Sequence, residues 1–360
     1  MKISFVCPFY LDRLTGTPIR AKITINSAST DNQVAVIATS GVAFNDQVDL
    51  TVLGAGKLSH FTNQTLQVLK KQKPEVIHGF TTVAMIPALF YKYFFNLQTK
   101  VVFEMHGWTW YETAGQISWW RRLLLLLCDV LGYWLADAVI AMSLTQRDFL
   151  ARKMGAKKRL AVIWGPVDFP ISYEEPISGG ELRVGYIGNN SWWQGLPELI
   201  KAATLVVKNN PRIQFELAGF DHHNVNAFPE RPSLHYRGKV QRVDVPTFIK
   251  SCHVMISPRV SGAVSDLQYP QKLSEYIAAG RPVIGSDVND QAKILTEAKC
   301  GFLVKPLTPE SLAQKILEFY SLKSEQRTIL GQNATTFADG EFSPSAFGLK
   351  LKQIYSQLRS

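Results

Sequence analysis

Cysteine is scarce in this chain, and no two cysteines stand close enough to suggest a joint task. Cys7, Cys128, Cys252 and Cys300 are scattered over 360 residues with no C-x-x-C pair, which argues against a disulfide framework and against a thiolate metal site. They read as reduced, mostly buried thiols of a cytosolic protein. A clean apolar run is also lacking. The stretch nearest to a membrane span, Leu123 to Met142, is interrupted by Asp129 and Asp137, each costing about 2.5–3.5 kcal/mol near a bilayer centre. A buried helix followed by a strand at Ala138 to Ala141 is the expectation there. No leader is expected either. The segment Ile3 to Leu11 follows a single lysine and runs into Asp12 and Arg13 without a small-residue cleavage site, so it reads as a buried first strand. No D-x-D cluster occurs, and no catalytic metal is expected. The net charge of +10 leaves anionic lipid and phosphorylated substrates as partners. Nucleic acid is set aside, because no RNP, zinc-finger or helix-turn-helix signature accompanies the charge.

What is present is a long alternation. The chain exceeds the length of about 250–300 residues at which one core stops growing, so two domains are expected. Short β-rich runs alternate with helical patterns, which predicts parallel sheets covered by helices. In the first half, strands are expected at Ile3–Pro8, Gln33–Ala38, Val48–Val52, Val76–His78, Lys100–Glu104, Ala138–Met142 and Arg159–Ile163. Helices fit Ile19–Ser27, Leu58–Lys71, Thr82–Phe95, Trp119–Leu135 and Thr145–Met154, the last opened by Ser143 and stopped by Gly155. Periodicity fails between Gly165 and Gly180, a segment rich in proline and glycine that reads as a linker. A second unit then alternates from Arg183–Ile187 through a strand at Gly301–Val304. Helices at Pro309–Ser321, Ser324–Thr336 and Ser345–Leu358 close it. Two doubly wound domains with a cleft between them are the expectation, and such folds place ligands beyond the C-terminal ends of their strands.

The segment Tyr269–Asp287, YPQKLSEYIAAGRPVIGSD, carries the most chemistry. Pro270 precedes a helix bearing Lys272, Leu273 and Glu275, with lysine and glutamate one turn apart on one face. A helix N-terminus beside a lysine suits a diphosphate, and a carboxylate one turn on suits ribose hydroxyls. Spacing alone also fits a surface helix with an exposed ion pair. The string itself resembles the donor-binding helix of glycosyltransferase family 4, where P-x-K-x-x-E-Y-x-A-x-G-x-P-V-I recurs. Other segments resemble the family in order: Arg183–Ala203, RVGYIGNNSWWQGLPELIKAA; Val162–Asp168, VIWGPVD; Ala136–Ser143, ADAVIAMS; and Val254–Pro258, VMISP. The likeness covers most of the chain and is weakest over residues 10–75.

The resemblance implies a GT-B fold, with an acceptor-binding domain at 1–168 and a donor-binding domain at 181–344. A last helix, 345–360, is expected to pack back on the first. It implies a retaining sugar transfer from a nucleoside diphosphate sugar to a glycan or lipid-linked acceptor, in polysaccharide or glycoconjugate synthesis, with no cofactor beyond that co-substrate. Candidate donor contacts are Gly188, Asn189, Gln194, Gly219, Arg237, Arg259, Leu273 and Glu275, with Lys272 and Asp266 at the reacting phosphate and sugar. Two departures stand out. The first glutamate of the family's Glu-x7-Glu motif falls on Leu267, with Asp266 adjacent. The family's arginine and lysine in the glycine turn fall on Asn189 or Asn190 and Gln194, which shifts phosphate charge to Lys272, Arg259, Arg237 and helix N-termini.

In the first half, VVFEMHGWTWY places His106 just past a strand end, where it can donate to a sugar hydroxyl or a developing oxyanion. The family's histidine after the equivalent strand points the same way. Gly16 and Thr17 lie in the loop Leu14–Arg20, which either meets phosphate or acceptor or is an ordinary βα turn. His78 is a further acceptor-side candidate at a strand end. Glu104 and Glu112 do not make a hydrolase pair, because Glu104 lies inside the expected strand and nothing fixes the separation. Trp119, Trp120, Arg121 and Arg122, with Arg152, Lys153, Lys157, Lys158 and Arg159 further on, suit an anionic membrane interface. They equally suit tryptophans packed inside beneath a solvated basic surface. The location read from this is cytoplasmic, with a peripheral seat on the inner face of the cell membrane if the tryptophans face outward. Two other classes stay open: a sugar-nucleotide epimerase on the same fold, and a protein that binds a nucleotide sugar without turning it over.

Overall fold

The computed structural model describes residues 1–13, 16–41, 44–157, 159–176, 180–220 and 232–359. These fall into two compact units: Met1–Asp168 with Pro344–Ser360, and Phe169–Ser343.

The first unit is built on strands β1 (Lys2–Tyr10), β2 (Gln33–Ser40), β3 (Val48–Val52), β4 (Val76–Phe80), β5 (Lys100–Met105), β6 (Ala138–Ala141) and β7 (Leu160–Val162). All pairings are parallel, in the order β3-β2-β1-β4-β5-β6-β7. Covered on both faces, the central strands are near-continuous apolar runs, as parallel sheets require. Phe5 of β1 pairs with Val36 on one side and His78 on the other, and it is fully buried. The connections are α1 (Gly16–Ser29), α2 (Leu58–Gln72), α3 (Thr81–Phe94), the short α4 (Thr109–Glu112), α5 (Trp119–Leu135) and α6 (Leu144–Met154). Ser143 caps α6 by accepting from the Gln146 N–H, and Gly155 ends it with φ 83°, the left-handed exit that glycine permits.

The second unit carries β8 (Leu182–Ile187), β9 (Ile213–Ala218), β10 (Leu234–Tyr236), β11 (Val254–Ser257), β12 (Val283–Ser286) and β13 (Gly301–Val304). Their order is β10-β9-β8-β11-β12-β13, again all parallel. Helices α7 (Leu196–Asn209), α8 (Val245–Ser251), α9 (Gln271–Ala278), α10 (Gln291–Ala298), α11 (Pro309–Ser321) and α12 (Ser324–Glu341) connect and cover them. The final helix, α13 (Pro344–Gln357), belongs to the first unit. Its Phe347, Leu351, Ile354 and Tyr355 enter the same core as Ile3, Phe5 and Ile23.

Element positions read from periodicity agree with the structure to within a few residues, and three places differ. Gly16 to Arg20 are already helical, as the first residues of α1, so the open turn expected there is absent from the described residues; Leu14 and Thr15 lie outside them, as does Lys158. Helix α4 has no sequence periodicity behind it and is held by a side chain of α5. Helix α12 runs on through Asp339 and Gly340 because Ala338 and Phe342 are fully buried and hold the chain in register.

The core position of α13 gives a direct expectation. Leu351→Ala should lower stability by about 2–5 kcal/mol, as buried leucine deletions do, read as a drop in the urea midpoint with secondary structure retained. A midpoint equal to wild type would show that α13 is not part of this core.

Candidate functional site

In each sheet the strand order reverses next to the first strand, at β1/β4 in the first unit and at β8/β11 in the second. The crevice outside the strand ends at such a reversal is where open α/β sheets bind ligands. The candidate residues of the second unit gather there.

Gly188 follows β8 and Gly219 follows β9, and the two backbones touch. A Cβ on Gly219, which has φ +93°, would stand 2.7 Å from the Gly188 carbonyl oxygen. A Cβ on Gly188 would stand 2.6 Å from Lys272 Nζ, so the absence of a side chain there is what lets the ammonium reach the end of β8. Lys272 comes from α9, which Tyr276 pins in place. The Tyr276 hydroxyl donates to the Ile187 carbonyl and accepts from the Ile187 N–H, each at 3.1 Å. Lys272 Nζ lies 4.4 Å from the centre of the Tyr186 ring. It is occluded from solvent and has no hydrogen-bond partner. Burial first, and then the neighbouring Arg259, push the lysine down to about 7.

Arg259 stands just past β11, nearly fully buried, with Nη2 donating to the carbonyls of Ser265 (2.9 Å) and Gln268 (3.3 Å). Its Nε has no partner. Burial draws this guanidinium down to about 10. Two buried cations thus share one corner, and the carboxylates nearby are otherwise engaged. Glu275 Oε1 accepts from Arg242 Nη1 at 2.6 Å, although a carboxylate has acceptor capacity for more than one donor. Both Asp266 oxygens accept from Ser261 Oγ, and Oδ1 also accepts from the Gly262 N–H, which staples the loop after β11. Gln194 closes the turn after Gly188, buried, with Oε1 lacking a partner. Asn189 organises the same turn, its Oδ1 accepting from the Ser191 N–H at 3.1 Å.

Two donor-side candidates have other engagements. Arg237 Nε and Nη2 form a fork with Glu216, at 2.5 and 3.0 Å, on the β9/β10 side of the sheet. Leu273 is fully buried, so its side chain packs in the core. Leu267, at the position of the missing glutamate, is 5% exposed and also packs inward.

The first unit brings together a set that sequence reasoning only half found. Glu104, with no exposed surface, accepts at Oε1 from Arg20 Nε and is paired there with His106 Nε2, both at 2.8 Å. His78 Nε2 stands 3.4 Å from the other oxygen. Burial would raise this carboxyl, but the Arg20 guanidinium and the two histidines overcome it and hold Glu104 well below the usual carboxylate range. Arg20 Nη1 donates in turn to the Trp164 carbonyl at 2.9 Å. His106 Nδ1 meets Thr17 Oγ1 at 3.1 Å, so both ring nitrogens are engaged and the ring is fixed. Thr17 sits in the first turn of α1 beside Gly16. His78 is not at a strand end. It lies inside β4, fully buried, with Nδ1 2.8 Å from the Tyr355 hydroxyl of α13, and burial lowers its pKa. Glu104 and Arg20 were the residues missed. The signal for Glu104 was its two-residue spacing from His106, which puts both on one face of β5 and its extension.

The segment after His106 is tied to α5. Asp129 accepts from the Thr109 N–H at 3.1 Å and from the hydroxyls of Thr109 and Thr82, and burial pushes its carboxyl up to about 6. Among the described residues no group of three or more His, Cys, Asp or Glu could hold a metal ion, and no helix is long and apolar enough to cross a membrane.

Two all-parallel, Rossmann-like units are the architecture of the GT-B class. The family model described as Glycosyltransferase Family 4 matches residues 40–169, and that of Glycosyl transferases group 1 matches residues 170–337. The chain belongs to the family 4-like glycosyltransferases. It is similar to spore coat protein SA of Bacillus subtilis, 25% identical over half of each chain, and it spans 50% and 60% of the lengths of the curated relatives it matches. Its fold is that of the sucrose-phosphate synthase of Thermosynechococcus elongatus, with TM-score 0.80, 16% identity and 100% and 99% coverage of the two chains. It is also that of HepE of Anabaena in complex with UDP-glucose, with TM-score 0.75, 16% identity and coverage of 98% and 99%.

Removing the buried carboxylate should expose how far the first unit relies on it. Glu104→Gln leaves the Arg20 guanidinium buried without its counter-charge and should cost about 3–5 kcal/mol, read in chemical denaturation. The wild-type contribution is present above the ordinary carboxylate pKa and is lost as pH falls through the depressed one. The gap between variant and wild type should therefore shrink in acid. A gap that stays constant into acid would show that the pair does not carry this stability.

Proposed function

We propose that the protein transfers a sugar from a nucleoside diphosphate sugar to a glycan or lipid-linked acceptor, with retention and without a catalytic metal. The observation that carries this is the occluded, unpartnered ammonium of Lys272 beside Arg259, laid against Gly188 at the switch point of the second sheet. A buried ammonium without a hydrogen-bond partner is costly, and a diphosphate is a ligand that answers two neighbouring cations at once. The complex of HepE with UDP-glucose, a protein of the same fold, supports UDP as the first nucleotide to try.

In this reading Lys272 and Arg259 neutralise charge on the diphosphate as the bond from the sugar anomeric carbon to phosphate oxygen breaks. The acceptor hydroxyl oxygen forms the new bond on the same face, and its proton passes to the departing phosphate. Glu275 receives ribose hydroxyls alongside Arg242. His106, oriented by Glu104, offers Nδ1 to a sugar hydroxyl once the Thr17 hydroxyl rotates away. The chain contributes position and electrostatics, and no cofactor enters. A second reading, donor binding without transfer, draws on the buried Leu267 and on the stapled Asp266. It predicts nucleotide binding with no product on any acceptor.

The test is calorimetric titration with UDP, GDP and ADP in buffers of differing ionisation enthalpy, on wild type and on Lys272→Met, which keeps the stem. Lys272 is held at about 7 against an ordinary 10.5. Below pH 7 the charged form therefore costs the fold stability, and the cost fades as pH rises toward 10.5. Diphosphate binding should reverse the depression. At pH 8 it should be accompanied by uptake of nearly one proton, and affinity should strengthen as pH falls toward 7. Lys272→Met should abolish the uptake and weaken binding about ten-fold or more. Unchanged affinity in the variant would remove the diphosphate from this site.

A further inference from the structure

Helix α5 is amphipathic in the inverted sense. Asp129, Gly132 and Tyr133 face inward and are buried. Trp120, Leu124, Leu127, Leu131 and Trp134, spaced four, three, four and three residues apart, form one outward stripe, each between 48% and 54% exposed. Trp119 and Leu123 widen it. Beside the stripe, Phe90, Tyr93 and Phe94 at the end of α3 are exposed as well, with Phe95 and Leu97 just beyond. Between α3 and α5 runs an apolar groove of about 360 Å³ lined by residues such as Leu89, Phe90, Phe94 and Leu131. A contiguous apolar face of this extent is not left to water without a task.

Cations stand at its margin, and Asp137, just past α5, is paired with Lys92. The Arg121 guanidinium lies 5.0 Å over the Trp120 ring, and Lys70 Nζ lies 3.8 Å over Phe95. Lys157 caps the end of α5 by donating to the carbonyls of Tyr133, Trp134 and Ala136. Neither α3 nor α5 exposes a carboxylate, since α3 has none and Asp129 is buried. Tryptophan near both ends of an apolar stripe, with cations at its margin, is the composition of a helix lying in a lipid interface.

We propose that the α3–α5 face docks the protein on the surface of a bilayer containing anionic lipid, α5 lying in the interface plane. The docking rests on this surface alone. Its consequence for acceptor access rests on the transferase reading. Helix α5 also holds the segment after His106, through Asp129 on Thr109 and through Arg122, whose Nη2 donates to the Trp110 carbonyl at 2.7 Å and whose guanidinium covers the Trp110 ring at 4.2 Å. Docking therefore brings the acceptor-side segment to the membrane surface.

The experiment is flotation of the full chain with vesicles of phosphatidylcholine alone and of phosphatidylcholine mixed with phosphatidylglycerol, paired with sedimentation velocity without lipid. Wild type should float with the mixed vesicles, less so at high salt, and with the neutral vesicles far less. Leu127→Glu with Leu131→Glu, at exposed positions, should stay unbound while keeping its melting temperature. Arg121→Gln should weaken partition about five-fold, the share of one basic residue near the surface. Backbone amides of Thr109 and Trp110 should gain exchange protection on vesicle binding. Lys272→Met should float like wild type, so a failure of the donor site leaves this result intact. Wild type that ignores both vesicles, or that sediments as a dimer which the double variant splits, would overturn the proposal and assign the face to a protein contact.

Discussion

A carboxylate with no exposed surface sits near the end of β5, and everything around it follows from the need to answer its charge. Glu104 takes a guanidinium from α1, an imidazole from the residue that follows its own strand, and the edge of a second imidazole from β4. Those three partners are themselves fixed: Arg20 by the Trp164 carbonyl, His106 by Thr17, and His78 by Tyr355 of α13. One buried charge thereby joins the start of the first helix, the central strands and the last helix of the chain into one unit. The cost of leaving any member unpaired in a low-dielectric interior is what makes the arrangement unique.

The second unit uses the opposite device. There the buried charges are cations, and Lys272 Nζ is left without a hydrogen-bond partner while the local carboxylates are occupied by Arg242, by Arg237 and by a loop. In the proposed function the expense of that burial is repaid by the diphosphate of the donor. The first unit thus pairs its buried carboxylate with cations, while the second holds a buried ammonium that no hydrogen bond answers.

Much of this was legible in the residues. Parallel sheets covered by helices follow from the alternation of short apolar runs with helical patterns, and the bounds of β3, α5, β13 and α11 are those the periodicity implies. The Lys272 segment was legible as a string. Less so were the partners. Arg237, a candidate phosphate ligand, is paired with Glu216, a partner that no pattern near it names. His78 looked like a strand-end residue because β4 is two residues longer than its pattern. Leu273 and Lys272 are neighbours in sequence and have opposite fates, one in the core and one with its ammonium against Gly188, because a helix turns successive side chains apart.

The sequence by itself determined the class of fold and the order of elements, because each is written in spacing along the backbone, and spacing is local. Tertiary structure alone decided which charges meet. Arg20 and Glu104 stand 84 residues apart, and no pattern within either segment names the other. It alone decided, too, that the leucines of α5 face outward. Periodicity shows that a helix has two faces; only the neighbours that pack against it settle which one is covered, and here they cover the side bearing Asp129.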